Sequence, residues 1–254
     1  MNRALILLTR PRRESRLAAA ELRAAGFEVL RAPLQFTRAA APSRSLDADL
    51  AWATGAAIQI FVSRAAVAAA CARATSAVSA AGLRLAVGSA TAAALRERGF
   101  PCEMAPAGAE DSDGLLGLPS LQSVQGQRIA LWAAPGGRDR LATALTARGA
   151  EVRFIYIYRR VPLRPPARVL QQLQRAPEHL VLTATSGALL AELDRVLRRA
   201  GLDTLRSRPL IVASERIAEL ARGRGYIRVE VAAGASSQAL IQALQKSTNP
   251  DPKR

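Results

Sequence analysis

The chain has 254 residues and a mass of 26.9 kDa, and 36 Lys and Arg against 20 Asp and Glu give it a formal net charge of +16. Half of the residues are hydrophobic, which excludes an intrinsically disordered or fibrous protein. One histidine and two cysteines are too few for a protein-bound zinc, so we expect no metal site. No secretory leader and no stretch of ~18–20 apolar residues is found, so we expect a cytoplasmic protein with free thiols and no membrane contact.

Arginine carries almost all of the positive charge, because the two lysines, Lys246 and Lys253, both lie close to the C-terminus. A basic surface can bind nucleic acid, but the arginines are scattered, and aromatic residues make up only 4% of the chain. We therefore expect no nucleic-acid partner. Two interpretations stay open: solvated helix faces, or a surface that attracts a small polyanion such as a polycarboxylate.

Short apolar strands alternate with amphipathic helices along the chain. The predicted strands occupy residues 3–8, 28–29, 58–62, 128–133, 151–152, 180–182 and 210–212, and the predicted helices residues 14–25, 138–148 and 189–197. Continuously apolar strands between helices are typical of doubly wound parallel sheets in α/β proteins. Residues 39–45 and 162–166 are rich in Pro, Ser or Ala and predict linkers, and we expect residues 247–254 to form a disordered tail.

The two halves of the chain repeat each other at an offset of 123 to 125 positions. The paired positions are Arg3 with Arg128, Gly26 with Gly149, Ser63 with Ser186, Val87 with Val212, and Ser112 with Ser237. Because the offset is about half the chain length, the repeat predicts two similar α/β halves. Gly26 and Gly149 each follow a helix, where we expect a positive φ.

Hydroxyl or glycine turns follow several predicted strands. Ligands of open α/β sheets bind at the carboxyl ends of the strands, where helix N-termini attract carboxylates. Each Ser or Thr can equally be an ordinary helix N-cap, but together they predict an anion-binding cleft between two domains. The predicted substrate-binding residues are Thr9, Arg10, Ser63, Arg64, Ser89, Thr91, Gly137, Arg138, Ser186 and Ser214. Neither a Gly-x-Gly-x-x-Gly nor a Walker A motif is present, which disfavours nucleotide chemistry.

Taken in order, the sequence motifs resemble the uroporphyrinogen-III synthase family. The resemblance is carried by residues 8–11, 61–67, 86–92, 112–116, 136–139, 146–152, 158–160, 185–186 and 212–218. It implies two similar doubly wound parallel-sheet domains joined by a two-stranded linker. One domain would be discontinuous, with residues 1–35 and 165–254, and the other would hold residues 38–160, with linkers near 33–38 and 156–164.

The resemblance also implies an activity, the cofactor-free closure of hydroxymethylbilane to uroporphyrinogen III by a lyase, with loss of water and inversion of ring D. It makes Tyr158 the catalytic residue that assists departure of the substrate hydroxyl, whereas the alternative for Tyr158 is simple packing. Two departures from the family pattern are Val62, where Thr is frequent, and residues 213–216, which replace a Gly-Pro-x-Thr pattern. We expect a monomer. The alternative function is a non-catalytic two-lobed module that binds polycarboxylates, because no strong acid–base pair is evident.

Overall fold

The computed structural model describes residues 3–106, 109–137, 139–175 and 177–248. The strands are β1 (Leu5–Leu8), β2 (Glu28–Arg31), β3 (Gln35–Ala39), β4 (Ile58–Phe61), β5 (Leu83–Ala86), β6 (Glu103–Met104), β7 (Arg128–Ala133), β8 (Glu151–Tyr156), β9 (Tyr158–Pro162), β10 (Leu180–Ala184), β11 (Leu210–Val212) and β12 (Val229–Val231). The helices are α1 (Arg12–Ala24), α2 (Arg44–Thr54), α3 (Arg64–Arg73), α4 (Thr75–Ala80), α5 (Ser89–Arg96), α6 (Ser112–Leu116), α7 (Arg140–Ala147), α8 (Ala167–Gln174), α9 (Gly187–Arg199), α10 (Glu215–Arg222) and α11 (Ser237–Thr248).

The chain divides into two compact units. The first unit consists of Met1–Phe36 and Val161–Arg254, and the second unit of Thr37–Arg160. The first unit contains a five-stranded parallel sheet in the order β12-β11-β10-β1-β2, and the second a five-stranded parallel sheet in the order β6-β5-β4-β7-β8. A two-stranded antiparallel sheet of β3 and β9 accompanies them. The predicted α/β fold, with two doubly wound parallel sheets and a two-stranded linker, is confirmed.

The sequence repeat corresponds to equivalent positions in the two sheets. β1, β10 and β11 occupy the places in the first sheet that β7, β4 and β5 occupy in the second. The difference lies in the connection, because the first sheet takes its strands from both ends of the chain and the second from one continuous segment. The helix ends repeat as well, since Gly26 has φ +90° and Gly149 has φ +81°, as predicted.

Each sheet packs helices on both faces because alternate strand residues point to opposite sides. In β1, Ile6 and Leu8 pack with buried residues of α1 and α11, whereas Leu7 packs with α8, α9 and α10. In the second unit, Phe61 packs with residues of α2 to α5, and Ile60 packs with residues of α6 and α7. The carboxyl ends of the strands are thereby held between two layers of helices.

A glutamine is buried on the central strand of the second unit. Gln59 is fully buried, and its Nε2 donates to the carbonyl oxygens of Ala53 at 3.2 Å and Ala77 at 2.6 Å. Its Oε1 accepts from Nε1 of Trp132 at 3.0 Å, and the Trp132 ring stacks on Phe61 with centroids 5.7 Å apart. The amide thus satisfies polar groups from two helices and a neighbouring strand.

The linker contains the two expected strands, and the C-terminal helix extends further than expected. The segments expected as linkers contain β3 and β9, and the pairing is extended by hydrogen bonds from Ala40 N to Ile157 O at 3.0 Å and from Leu163 N to Leu34 O at 2.7 Å. The disordered tail was expected to begin at residue 247, whereas α11 continues to Thr248. The rest of that tail lies outside the described residues. Among the described helices, none has the length and apolar character to cross a membrane.

Candidate functional site

In the second unit, the predicted turns follow three adjacent strands. Ser89, Ser63 and Gly137 lie in the turns after β5, β4 and β7, which are neighbours in the sheet. The chain order reverses between β4 and β7, and in open α/β sheets such a switch point is where ligands bind. The candidate residues of the second unit therefore lie at the carboxyl end of its sheet, where a ligand is expected to bind.

The hydroxyl of Tyr158 is held by Ser63. Tyr158 is 2% exposed and packs in the core of the second unit, and its Oη lies 2.9 Å from Ser63 Oγ. Ser63 also caps α3, because its Oγ accepts from Ala66 N at 3.1 Å. The Arg160 guanidinium donates to Tyr158 Oη at 3.5 Å and lies 5.9 Å from the ring centroid. The phenol oxygen thus accepts from a cation while its own proton can be donated to another oxygen.

A carboxylate already occupies the N-terminus of α5. Glu110 Oε2 accepts from Ser89 N at 3.0 Å and from Ser89 Oγ at 2.9 Å. A Cβ on Gly88, the N-cap of α5, would lie 2.9 Å from the same oxygen, so the glycine leaves room for this carboxylate. Thr91, also predicted to bind substrate, is buried in the same turn. This helix end therefore binds a carboxylate of the chain itself, and contact of Ser89 and Thr91 with substrate stays a prediction.

Of the remaining predicted residues of the second unit, Arg64 and Gly137 are exposed. Arg64 is the first residue of α3 and is exposed. Gly136 has φ +74°, which favours glycine, and the neighbouring Gly137 is exposed in the same turn after β7. Arg138 lies outside the described residues. These positions stay predictions for substrate contacts.

In the first unit, Ser186 and Ser214 begin helices after adjacent strands. Ser186 follows β10 and caps α9, with its Oγ accepting from Leu189 N at 3.2 Å. Ser214 follows β11 and occupies the N-cap position of α10, yet its side chain accepts no capping hydrogen bond from the helix. The two serines both follow strands at the carboxyl end of the first sheet, and they differ because only Ser186 caps its helix with its side chain.

Thr9 and Arg10 have their contacts inside the first unit. Thr9 is fully buried, and its hydroxyl donates to Thr183 O at 2.8 Å, while Thr183 Oγ1 donates to Leu7 O at 2.6 Å. These reciprocal bonds join β1 to β10. The Arg10 guanidinium, also buried, donates to Ser236 O at 3.4 Å. Both residues therefore hold the sheet edge in place, and their contact with substrate stays a prediction.

Two residues of this geometry were not selected from the sequence. Glu110 lies beside Ser89, and no motif or spacing marks it. Arg160 lies beside Tyr158 in the motif of residues 158–160, but it was not assigned to the site. The two cysteines are poor nucleophiles, because burial raises the pKa of the Cys71 and Cys102 thiols although nearby arginines oppose the effect. The part of the chain that the structure describes holds no group of three or more His, Cys, Asp or Glu side chains able to bind a metal ion.

Comparison with known proteins gives one consistent family. A family model described as "Uroporphyrinogen-III synthase HemD" matches residues 16–242. Uroporphyrinogen-III synthase of Escherichia coli K12 is 36% identical over 162 residues, which are 63% of this chain and 65% of the relative. The alignment thus spans slightly less than two thirds of the length of this curated protein.

Two solved structures share the fold. A mutant uroporphyrinogen III synthase of the extremely thermophilic bacterium Thermus thermophilus superposes with a TM-score of 0.62 at 22% identity, covering 96% of this chain and 99% of that chain. The uroporphyrinogen-III synthetase of Helicobacter pylori 26695 superposes with a TM-score of 0.66 at 14% identity, covering 98% of this chain and 100% of that chain. At these identities the likeness concerns the architecture.

Proposed function

The chain belongs to the uroporphyrinogen-III synthase family, and we propose that it closes hydroxymethylbilane to uroporphyrinogen III as a lyase, with loss of water and inversion of ring D. The observation that carries the proposal is the family match over residues 16–242. We further propose that the enzyme acts as a cytoplasmic monomer without a cofactor. The two free cysteines fit a reducing compartment.

The proposed reaction asks the protein mainly to control conformation. The terminal hydroxyl of the linear tetrapyrrole takes up a proton and leaves as water, which gives an azafulvenium cation, and a proton is released again when the final ring closure restores the pyrrole. The far pyrrole attacks this cation through its substituted carbon, and the resulting spiro intermediate fragments and closes again with that ring inverted. Spontaneous closure without inversion competes, so the protein must hold the chain in the geometry that favours one carbon over another.

In this proposal, Tyr158 assists the departure of the hydroxyl. Its Oη donates a hydrogen bond to the leaving oxygen as the C–O bond breaks, and Arg160 stays beside the phenol oxygen. The Tyr158 hydroxyl then bonds to the substrate in place of Ser63, and breaking the bond to Ser63 costs about 1 kcal/mol, as for a neutral hydrogen bond. Because Tyr158 is 2% exposed, substrate binding must also open a path to the hydroxyl.

The helix N-termini provide positions for the acetate and propionate arms of the substrate. Glu110 at Ser89 shows how a carboxylate fits the start of α5, with one oxygen accepting from a backbone N–H and a hydroxyl. We assign a second carboxylate to the start of α10, where the Ser214 side chain makes no capping bond and the positive end of the helix dipole attracts an anion. We assign Thr9, Arg10, Arg64, Thr91, Gly137, Arg138 and Ser186 to the surroundings of the same arms.

The test is the product isomer formed from freshly generated hydroxymethylbilane. We expect protein-dependent formation of type III uroporphyrinogen, measured by chromatography of the oxidised porphyrins. In the variant Tyr158→Phe we expect turnover to fall about 10- to 100-fold, within the range of a lost proton donor. The matched control is Tyr156→Phe, because Tyr156 is an exposed tyrosine two positions away and stacks on Phe154 instead.

The outcomes separate the enzyme from a binding module. Only type I product in the presence of folded protein would refute the activity, and it would favour a module that holds the bilane without changing it. Type III product at full rate in Tyr158→Phe would keep the activity and remove the role of Tyr158. Equal losses in both tyrosine variants would also contradict that role.

A further inference from the structure

A basic groove of about 870 Å³ lies on the first unit beside the edge strand β2. Its arginines come from the segment just before β1, the end of α1, and α8 with the residue that follows it: Arg3, Arg23, Arg168 and Arg175. Among the described residues that line it, Glu28 is the one acid. The groove lies at the amino ends of β1 and β2, and it is therefore at the opposite end of the sheet from the candidate site.

The charges of the basic groove are not neutralised within the unit. Among the described residues, Arg3, Arg168 and Arg175 form no ion pair, and Arg23 donates only to the carbonyl oxygen of Val29 at 3.4 Å. The lining also has an apolar part, which consists of Leu5, Phe27, Val29, Leu30 and Pro177. A guanidinium set around an apolar surface suits a ligand that has both anionic groups and an apolar body.

The equivalent surface of the second unit is filled by the protein itself. Trp52 of α2 covers the start of β8, where its Nε1 donates to Glu151 Oε1 at 3.2 Å and Arg153 lies 4.6 Å from its ring centroid. Arg128 pairs with Glu151 at 3.2 Å, and Arg153 pairs with Asp49 at 3.6 Å. In this unit the arginines therefore have an indole and two acids as partners.

The sequence of α8 explains why the first unit is open. α8 stands before β10 as α2 stands before β4, and Gln172 lies two residues before the end of α8, as Trp52 does in α2. In the same way, Val169 lies five residues before the end of α8, as Asp49 lies five residues before the end of α2. The first unit thus has the arginines but lacks the tryptophan and the aspartate.

We propose that the basic groove binds an organic polyanion that carries several carboxylates on an apolar body. Guanidinium groups pair with carboxylates through two parallel hydrogen bonds, and the apolar lining favours a carbon skeleton over a small hydrated anion. An added peptide strand is disfavoured, because Arg23 already bonds to the outer edge of β2 at Val29. The proposal is independent of the proposed activity.

The probe is benzenehexacarboxylate, titrated calorimetrically into the full-length protein at about 0.1 M salt. The variant Arg168→Gln/Arg175→Gln should bind at least about tenfold more weakly, because it loses two charge-assisted contacts. The matched control Arg16→Gln/Arg199→Gln removes the same charge from exposed helix positions outside the groove and should bind within about twofold of the unchanged protein. The variant Gln172→Trp should weaken binding at constant charge, because it supplies the indole that fills the groove of the second unit.

Several outcomes would overturn the proposal. These are no binding of the probe, equal weakening in the control and groove variants, or full binding by a folded Gln172→Trp protein. Inositol hexakisphosphate has a polar body, and tighter binding of this phosphate than of the carboxylate would overturn the assigned ligand class. Displacement of the probe by a short single-stranded DNA would indicate a nucleic-acid surface instead. Circular dichroism and the melting temperature show whether each variant folds.

Discussion

Ser63 and Ser186 occupy equivalent positions in the two units, and we expect their removal to differ in cost. Both cap a helix, at 3.1 Å for Ser63 and 3.2 Å for Ser186, and only Ser63 also bonds to Tyr158, at 2.9 Å. Loss of a serine cap costs about 1 kcal/mol of unfolding free energy. Loss of the second bond leaves a buried phenol with a weaker partner and adds about 1–2 kcal/mol. We therefore expect about 1 kcal/mol for Ser186→Ala and about 2–3 kcal/mol for Ser63→Ala.

Urea unfolding can assign these costs to the correct unit. The two tryptophans, Trp52 and Trp132, both belong to the second unit, so their fluorescence reports on that unit, whereas far-UV circular dichroism reports on both. Ser63→Ala should shift the fluorescence transition, and Ser186→Ala should shift only the dichroism. In a Tyr158→Phe background, the cost of Ser63→Ala should fall to about 1 kcal/mol. Equal costs of Ser63→Ala with and without the tyrosine hydroxyl would refute the coupling.

Two further predictions concern stability. Gln59→Leu should lower the unfolding free energy by about 2–4 kcal/mol, because it leaves the Trp132 N–H and the Ala77 carbonyl without partners in the core, whereas Ala53 O keeps its bond from Ala56 N. Urea unfolding measures this, and Gln127→Leu, which removes a side-chain bond to Ser123 O at the surface, should change it by less than about 0.5 kcal/mol. Burial, with the Asp194 carboxylate nearby, raises the pKa of Tyr226 to about 12, so the unfolded state loses its proton first and stability should fall by up to about 2–3 kcal/mol between pH 10 and 12. Urea unfolding measured between pH 10 and 12 should show a smaller loss of unfolding free energy in Tyr226→Phe than in the unchanged protein. An equal loss in both proteins would contradict the assignment to Tyr226.

Local sequence signals predict the repeated framework well. Helix ends at Gly26 and Gly149 and continuously apolar strands are set by residues close in the chain, and both glycines adopt the expected positive φ. The repeat also identifies which strands are equivalent. It does not show that the first unit is completed by the end of the chain. That connection depends on the pairing of β1 with β10, about 175 positions away, and it entered only through the family resemblance.

Contacts between distant residues explain what the sequence does not predict. Ser63 and Tyr158 are 95 positions apart, and capping alone explains a serine at the start of a helix. The sequence around Ser63 therefore does not predict its hydrogen bond to Tyr158. Glu110 reaches Ser89 from 21 positions away. Thr9 shows the opposite case, because a hydroxyl after a strand suggested a ligand contact and the structure gives it a bond to Thr183 within the sheet.

The differences between the two halves locate function better than their similarities. A helix-capping serine and an edge strand occur in both units as parts of the same framework, and stability alone explains them. The second unit adds Tyr158 to Ser63 and Glu110 to Ser89, whereas the first unit leaves Ser186 as a simple cap and Ser214 without a capping bond. At the edge strands the difference is the opposite one. The second unit covers the arginines beside β8 with Trp52 and two acids, whereas the first unit leaves the arginines beside β2 exposed. Since the shared framework does not require these departures, substitutions there should change binding or turnover in addition to stability.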